Sequence, residues 1–451
     1  MPAAETVWRP AQLEHWRREK SARFVFGSRR LDLATGWIDL AYRLDGIELS
    51  ERFRLPVTDP SPACPEALDA ALDLLHWTAG VSYWKAGCPS EIAFEARGPD
   101  RWQADWLARL YREGLAEFAW RNGLAQEQWA EFPAGSDTVA AAVSCRLPRR
   151  SLTPMGGGKD SLVALERLRS QGEQPVTVQV GQAALIREVA AETGADHLLV
   201  ERRVDPALSE LNRLGAWNGH VPITAINAAV LVVLALVQGY DRVVFANERS
   251  ADEATLHDER GRAVNHQFSK SLAFEGMLGE WVERCITPHL SVFSLLRRDR
   301  ELAVCREFAG LERYHGVFSS CNRNFHLDGA RTDRWCGRCP KCHFVFLALA
   351  PFMSPESLAA IFGANLLEDE NELEGFRALL AIDGAKPFEC VGEADEARSA
   401  LAALAGDPRW RDFPVVAGLA PLLAGLDVPD IDDLCRPGRT HRIPDDLLTH
   451  A

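Results

Sequence analysis

Met155-Gly156-Gly157-Gly158-Lys159-Asp160-Ser161 stands between a short apolar run and an amphipathic stretch, and it sets the architecture expected around it. Three successive glycines let the backbone turn tightly and bring amide N–H groups close to a polyanion, because no Cβ blocks the approach. With Ser161 opening a helix, unpaired N–H groups and the helix dipole both favour negative charge there. Lys159 can screen phosphate oxygens, and Asp160 can hold a magnesium ion through water. The segment therefore reads as a pyrophosphate-binding turn. A plain glycine-rich surface turn is the competing reading, disfavoured by the order strand, glycines, Asp-Ser, helix. It is not a Walker A loop: Thr153 stands where that loop needs its first glycine, and Asp160 follows the lysine.

Outward from the turn, strands expected at 150–154, 175–180, 196–202 and 241–246 alternate with helices at 161–170, 182–193 and 222–238. This is the signature of a parallel sheet covered on both faces. Such a sheet binds ligands beyond the carboxyl ends of its strands, where strand order reverses, and residues 155–161 and 247–253 both fall at such ends. A ligand-facing loop at 247–253 is favoured over a plain solvent loop, and Asn247, Glu248 and Asp252 are then candidates for magnesium or substrate contacts, the first two also for the nucleotide. Upstream, residues 23–56 alternate apolar and polar side chains around an Asp45-Gly46 hairpin turn, and residues 65–130 show helical spacing. In the aromatic-rich stretch His76–Lys85 core packing is favoured over a binding surface. From 345 onward the chain reads as helical, with the acidic run 368–372 as a solvated face or loop.

The chain has 451 residues, enough for two or three domains, and a formal net charge of −14. That acidity argues against a protein that grips nucleic acid over a broad basic face. No export signal is evident at the start, and the longest apolar span, Ala225 to Val237, carries Asn227 and is too short to cross a membrane. A cytoplasmic protein is expected. Eleven cysteines, an odd number, then point to thiols and a metal rather than a disulfide framework. Cys321, Cys336, Cys339 and Cys342 can surround a tetrahedral structural Zn²⁺; buried free thiols or redox chemistry are the alternatives. His220, before the apolar helix, either caps it or faces the nucleotide. His266 and Lys270, in Asn265–Ser271, offer a base and a cation, or else belong to a capped helix start.

The glycine turn resembles the Ser-Gly-Gly-x-Asp-Ser motif of the PP-loop ATP pyrophosphatases, with Gly156 in place of the first serine and its hydroxyl. That superfamily cleaves ATP between the α and β phosphates. The cysteine pattern resembles the zinc knuckle of the PP-loop enzymes that make 7-cyano-7-deazaguanine. Together with Asn247-Glu248-Arg249-Ser250-Ala251, Asn265–Lys270 and Cys336–Phe346, the chain resembles the UDP-N-acetylmuramoyl-L-alanyl-L-glutamate epimerases of the MurL type. The resemblance implies an α/β fold, a doubly wound parallel sheet of PP-loop or HUP-like kind. An N-terminal α+β, substrate-binding domain (1–147) would precede a PP-loop domain (148–345, with the zinc knuckle at 321–342) and a helical C-terminal region (346–451).

It further implies an ATP- and Mg²⁺-dependent inversion of the terminal L-glutamate of UDP-MurNAc-L-Ala-L-Glu through an acyl-adenylate, releasing AMP and pyrophosphate. Gly156, Gly157, Gly158, Lys159, Asp160 and Ser161 would hold the nucleotide, and His220, His266 and Lys270 are the base candidates. Arg297, Arg298 and Arg300 are guesses for the uridine diphosphate. No nucleic-acid or membrane partner is expected. A deazaguanine-type ligase that traps the adenylate with ammonia is one alternative, and a tRNA-thiolation enzyme or a non-catalytic zinc-stabilised module are others. Against the ligase stands the large N-terminal domain, more than a small heterocyclic acid requires.

Overall fold

The computed structural model describes residues 13, 15–57, 64–125, 129–135, 141–325, 334–382 and 384–448. Its chain contacts divide into two compact units, neither continuous in sequence: residues 1–149, 199–241 and 277–291 form the first, and 150–198, 242–276 and 292–451 the second. Residues 326–333, inside the expected zinc knuckle, lie outside the described residues.

The first unit carries the antiparallel meander expected from the 23–56 alternation: β1 (Arg23–Asp32), β2 (Trp37–Leu44) and β3 (Ile47–Arg54). Asp45 and Gly46 both have positive φ (50° and 84°), as a two-residue hairpin turn matching strand twist requires. The Asp45 carboxylate also accepts from the amides of Ala22 and Arg23, fixing where the turn sits. β4 (Glu91–Phe94) lies parallel to β1. Helix Pro65–Ala79 packs on the apolar helix Ile223–Gln238, whose residues are buried nearly all round. The aromatics of His76–Lys85 are core, as expected: Trp77, Tyr83 and Trp84 are buried, and the Tyr83 ring stacks on Tyr42. Cys64 and Cys145 form a disulfide, which the expectation of thiols and a metal rather than a disulfide framework did not include; the two lie 81 residues apart with no spacing signature.

In the second unit β5 (Ser151–Pro154), β6 (Val176–Val180), β8 (Arg242–Phe245) and β11 (Ser291–Ser294) take the order β11-β8-β5-β6, with β5 parallel to both β6 and β8. β7 (His197–Val204) enters the first unit at residue 199, where it runs antiparallel to β3. A short hairpin, β9 (Leu256–His257) with β10 (Ala263–Val264), follows β8. The chain leaves β5 toward β6 on one side and returns to β8 on the other, so strand order reverses between β5 and β8. Both carboxyl ends there open onto the expected loops, 155–161 and 247–253. One boundary shifts: the helix after the turn begins at Lys159, two residues before Ser161, with Gly158 as N-cap. Helices Glu301–Ala309, Pro340–Leu349, Pro355–Phe362, Leu373–Leu379 and Ala394–Gly406 complete the unit around a core that includes Leu162, Leu165, Phe308, Phe346 and Trp410. No helix among the described residues is long and apolar enough to cross a membrane.

In the first unit Glu51 is fully buried against Arg202, whose Nε donates to Oε1 at 2.6 Å. Removing one member of a buried pair strands the other charge. Glu51→Ala is therefore expected to cost about 3–5 kcal/mol in urea unfolding, whereas an exposed-pair variant such as Glu91→Ala should cost less than about 1 kcal/mol.

Candidate active site

The glycine turn owes its shape to local sterics. Gly157 has φ +82°, and a Cβ on Gly158 would meet Ser320 Oγ at 2.5 Å. The Ser319 amide donates to Gly157 O at 3.0 Å, while the amides of Gly156, Gly157 and Gly158 have no acceptor among the described residues. A Cβ on Gly156 would meet nothing within 4 Å, so sterics do not explain the absence of the serine found in the related motif. Ser161 Oγ donates back to Gly158 O at 3.0 Å.

Lys159 does not reach outward. Its side chain is 1% exposed, and its Nζ donates to Asp160 Oδ1 and, at 2.7 Å, to Glu301 Oε1. Burial opposes its charge most strongly, but Asp160 and Glu301 together outweigh burial and hold the ammonium well above the ordinary lysine value. Glu301, the first residue of its helix, also faces Lys341 Nζ at 3.5 Å. Burial resists its ionisation, yet the two lysines overcome this and draw the carboxyl down to about 2. Glu248 has the opposite fate. Burial, then repulsion from Glu301 and Asp160, push it up to about 8, so it keeps its proton and shares it with Glu301.

The loop after β8 is fastened from below by Arg297, which is fully buried: Nη1 donates to Glu248 O at 2.8 Å, Nη2 to Lys270 O at 2.6 Å, and Nε to Glu275 at 3.0 Å. With its donors so occupied, Arg297 is a structural strut rather than the uridine diphosphate contact guessed from sequence. Arg298 Nε donates to Gly438 O at 2.9 Å and Arg300 pairs with Glu393 at 2.9 Å. Asn247 Nδ2 donates to Ser294 Oγ at 3.1 Å. Lys270, also in this unit, donates from Nζ to Cys390 Sγ at 3.3 Å. His220 belongs to the other unit, with its Nδ1 3.7 Å from Glu117.

Carboxylate oxygens of Asp160, Glu248 and Glu301 all lie within 4.8 Å of one another. An all-oxygen set suits a hard divalent cation such as Mg²⁺, and the raised Glu248 value marks a place short of positive charge. The four cysteine sulfurs form a second cluster of the same span. Two Sγ–Sγ separations of 3.4 and 3.7 Å approach the edge of a tetrahedron, ~3.8 Å for Zn–S bonds of ~2.3 Å. Pro340 starts the helix that carries Cys342 and aims Lys341 at Glu301, so the cysteine cluster and the carboxylate cluster share one element. A cleft of about 1130 Å³ in this unit is lined by Trp335, Arg338, Phe362 and Glu372, and no glycine-turn or carboxylate-cluster residue forms its wall.

Sequence reasoning singled out Lys159, Asp160 and Glu248, which the structure brings together, but not Glu301, which joins them, nor Cys390 beside Lys270. Glu301 arrives from 142 residues away, and its one signal was a place just past a strand end, in the charged run Arg297–Glu301. Cys390 has no cysteine at ligand spacing and carried no signal.

Comparison with known proteins covers nearly the whole chain. The family model described as MurL N-terminal domain matches residues 15–295, and that described as MurL C-terminal domain matches 317–430. A UDP-N-acetyl-alpha-D-muramoyl-L-alanyl-L-glutamate epimerase of Xanthomonas oryzae pv. oryzae is 46% identical over 428 residues, 93% of this chain and 95% of that protein. Proteins of the same name from a Micromonospora species and Salinispora tropica are each 42% identical, over 93% and 88% of this chain and 96% and 88% of theirs.

Two outcomes are expected here. Purified protein should carry about one Zn²⁺ per chain by atomic absorption, and stripping it should lower the melting temperature, since binding free energy at such sites is folding free energy. Between the ordinary carboxyl value of 4.5 and about 8 the folded chain holds a proton on Glu248 that the unfolded chain has lost. Stability from this group therefore falls as pH rises through that window. Without added Mg²⁺, the melting temperature should decline toward about pH 8, and Glu248→Gln should flatten the decline.

Proposed function

Because the chain belongs to the MurL family, we propose that it inverts the terminal L-glutamate of UDP-MurNAc-L-Ala-L-Glu to D-glutamate during peptidoglycan precursor synthesis. ATP and Mg²⁺ would drive the inversion through an acyl-adenylate, with release of AMP and pyrophosphate. The observation that carries the ATP half of this reading is the meeting of the glycine turn with Asp160, Glu248 and Glu301 where strand order reverses. In fold terms the second unit is then a doubly wound, PP-loop-like nucleotide domain, and the first unit binds the bulk of the UDP-sugar peptide in the cytoplasm.

Chemistry supplies the reason for adenylation. The α-hydrogen beside an ionised carboxylate is very weakly acidic, because its carbanion would put two negative charges on adjacent groups. Attack of the α-carboxylate on the α-phosphorus of ATP removes one of them and expels pyrophosphate. The acyl-adenylate carbonyl then takes up the electron pair as an enolate when Cα loses its proton. Reprotonation from the other face inverts the centre, and water cleaves the mixed anhydride to the acid and AMP. The amides of Gly156, Gly157 and Gly158 receive the leaving pyrophosphate, and Ser161 supports the turn. Lys159 moves its charge from Glu301 toward phosphate oxygens as these arrive. Asp160, Glu248 and Glu301 would hold Mg²⁺, which when bound would supply charge neutralisation for the triphosphate.

In deuterated water with ATP, Mg²⁺ and UDP-MurNAc-L-Ala-L-Glu, the protein is expected to release AMP and pyrophosphate and to yield D-glutamate carrying deuterium at Cα. The absence of both AMP and Cα exchange with zinc-replete protein would overturn the proposal. Asp160→Asn should slow AMP release by ~100-fold or more, the scale of losing a group that places transition-state charge.

A further inference from the structure

Cys390 lies outside both cysteine sets described above: it is neither in the disulfide nor among the four clustered sulfurs. It is partly exposed, and Lys270 Nζ stands 3.3 Å from its Sγ. Among the described residues that sulfur is the one hydrogen-bond partner of the Lys270 ammonium. A neutral thiol is a poor acceptor for an ammonium and a thiolate a good one, so the pair favours charge on sulfur. His266 adds a second hydrogen bond to the same sulfur. Lys341 and Glu389 are the other charged groups that act on it.

The segment is also fixed in place. Gln267 Nε2 donates to Val391 O at 3.3 Å, Lys386 Nζ to Gly392 O at 2.9 Å, and Asn322 Nδ2 to Glu389 Oε2 at 2.6 Å. Arg297, which holds the Glu248 carbonyl, holds the Lys270 carbonyl as well, and Lys270 feels the charges of both Cys390 and Glu248. The sulfur is therefore linked to the carboxylate site through Lys270 and the Arg297 strut.

We propose that Cys390, kept as a thiolate by Lys270 and His266, is the base that removes the Cα proton of the adenylated glutamate. This rests on the adenylation reading above. In the step, the S–H bond forms as the Cα–H bond breaks, and the C–H electron pair moves into the enolate of the acyl-adenylate. Burial raises the thiol, but Lys270, His266 and Lys341 overcome it and bring it down to about 6, which leaves a base charged at neutral pH and still basic enough to act. The two sequence-stated base candidates of this unit, His266 and Lys270, then become the groups that hold the base.

The test compares the full-length, zinc-loaded protein with Cys390→Ser and Cys390→Ala, using two separate readouts with UDP-MurNAc-L-Ala-L-Glu. Isotope exchange between pyrophosphate and ATP reports adenylation alone; Cα deuterium and D-glutamate report proton transfer. The variants are expected to keep exchange within about threefold and to lose deuterium incorporation by ~100-fold or more. Epimerisation within about tenfold of wild type in either variant would sink the assignment. So would an acid-stable adduct of substrate mass on Cys390, which would make the sulfur an acyl carrier instead. No exchange in the wild-type protein would instead bring down the adenylation reading, and this inference with it. A measurement on unmutated protein guards against a folding defect: iodoacetamide at neutral pH should alkylate Cys390 ahead of the other thiols, stopping deuterium incorporation but not isotope exchange. A Cys390 that reacts only above about pH 8, as an ordinary thiol does, would count against the proposal.

Discussion

The buried contact between Lys159 and Glu301 is the constraint around which the second unit's site is arranged. A lysine with 1% of its side chain exposed needs a counter-charge, and the chain supplies it from a helix that begins 142 residues later. Once those two charges are joined, much else follows. The glycine turn is held by its helix, the start of the Glu301 helix is drawn to the end of β5, and the Ser250 hydroxyl accepts from the Glu301 amide at 3.1 Å. Glu248, buried beside a carboxylate already ionised by two lysines, is repelled more by Glu301 and Asp160 than Lys270 and Lys159 can offset, and its value rises to about 8. One buried ion pair thus sets the protonation of its neighbours as well as their positions.

The same carboxylate ties the site to the cysteine cluster. Lys341 lies between Cys339 and Cys342 in sequence and reaches Glu301 from the first turn of its helix. A metal that fixes those sulfurs fixes the origin of that helix, and with it the second of the two cations on Glu301. The cysteine cluster is in this way connected to the carboxylate cluster by a single side chain, Lys341, rather than by distance through the core.

Local features of the chain were the most readable. The glycine turn, the Asp45-Gly46 hairpin and the parallel strands each depend on residues near one another, so composition and period reveal them, and the strand ends pointed to Asp160 and Glu248, which the structure brings together. What escaped reading depends on contacts between distant segments. Glu301 completes the carboxylate set from a charged run whose arginines suggest uridine diphosphate contacts, and Arg297 in that run is a buried strut. The Cys64–Cys145 bond joins residues 81 apart without any motif. Cys390 shows nothing until its neighbours Lys270 and His266 are in place. The start of the turn's helix was misjudged for a different reason: with Gly158 as the cap, Lys159 is already helical, and its burial by Glu301 outweighs the preference for a polar serine at the opening.

The interleaving of the two units bears on how the protein is made. When the first 149 residues have left the ribosome, neither unit exists, because the first still lacks the strand and the apolar helix drawn from 199–241 and the segment 277–291. Helix Pro65–Ala79 must therefore wait, with the face that packs on Ile223–Gln238 and Val282–Ile286 uncovered, while some 140 further residues are synthesised. Helix Ile223–Gln238, apolar nearly all round, faces the same wait from the other side. Chain order thus makes synthesis itself a period of exposure, and chaperone demand should track translation speed through residues 150–291 rather than the stability of the finished fold.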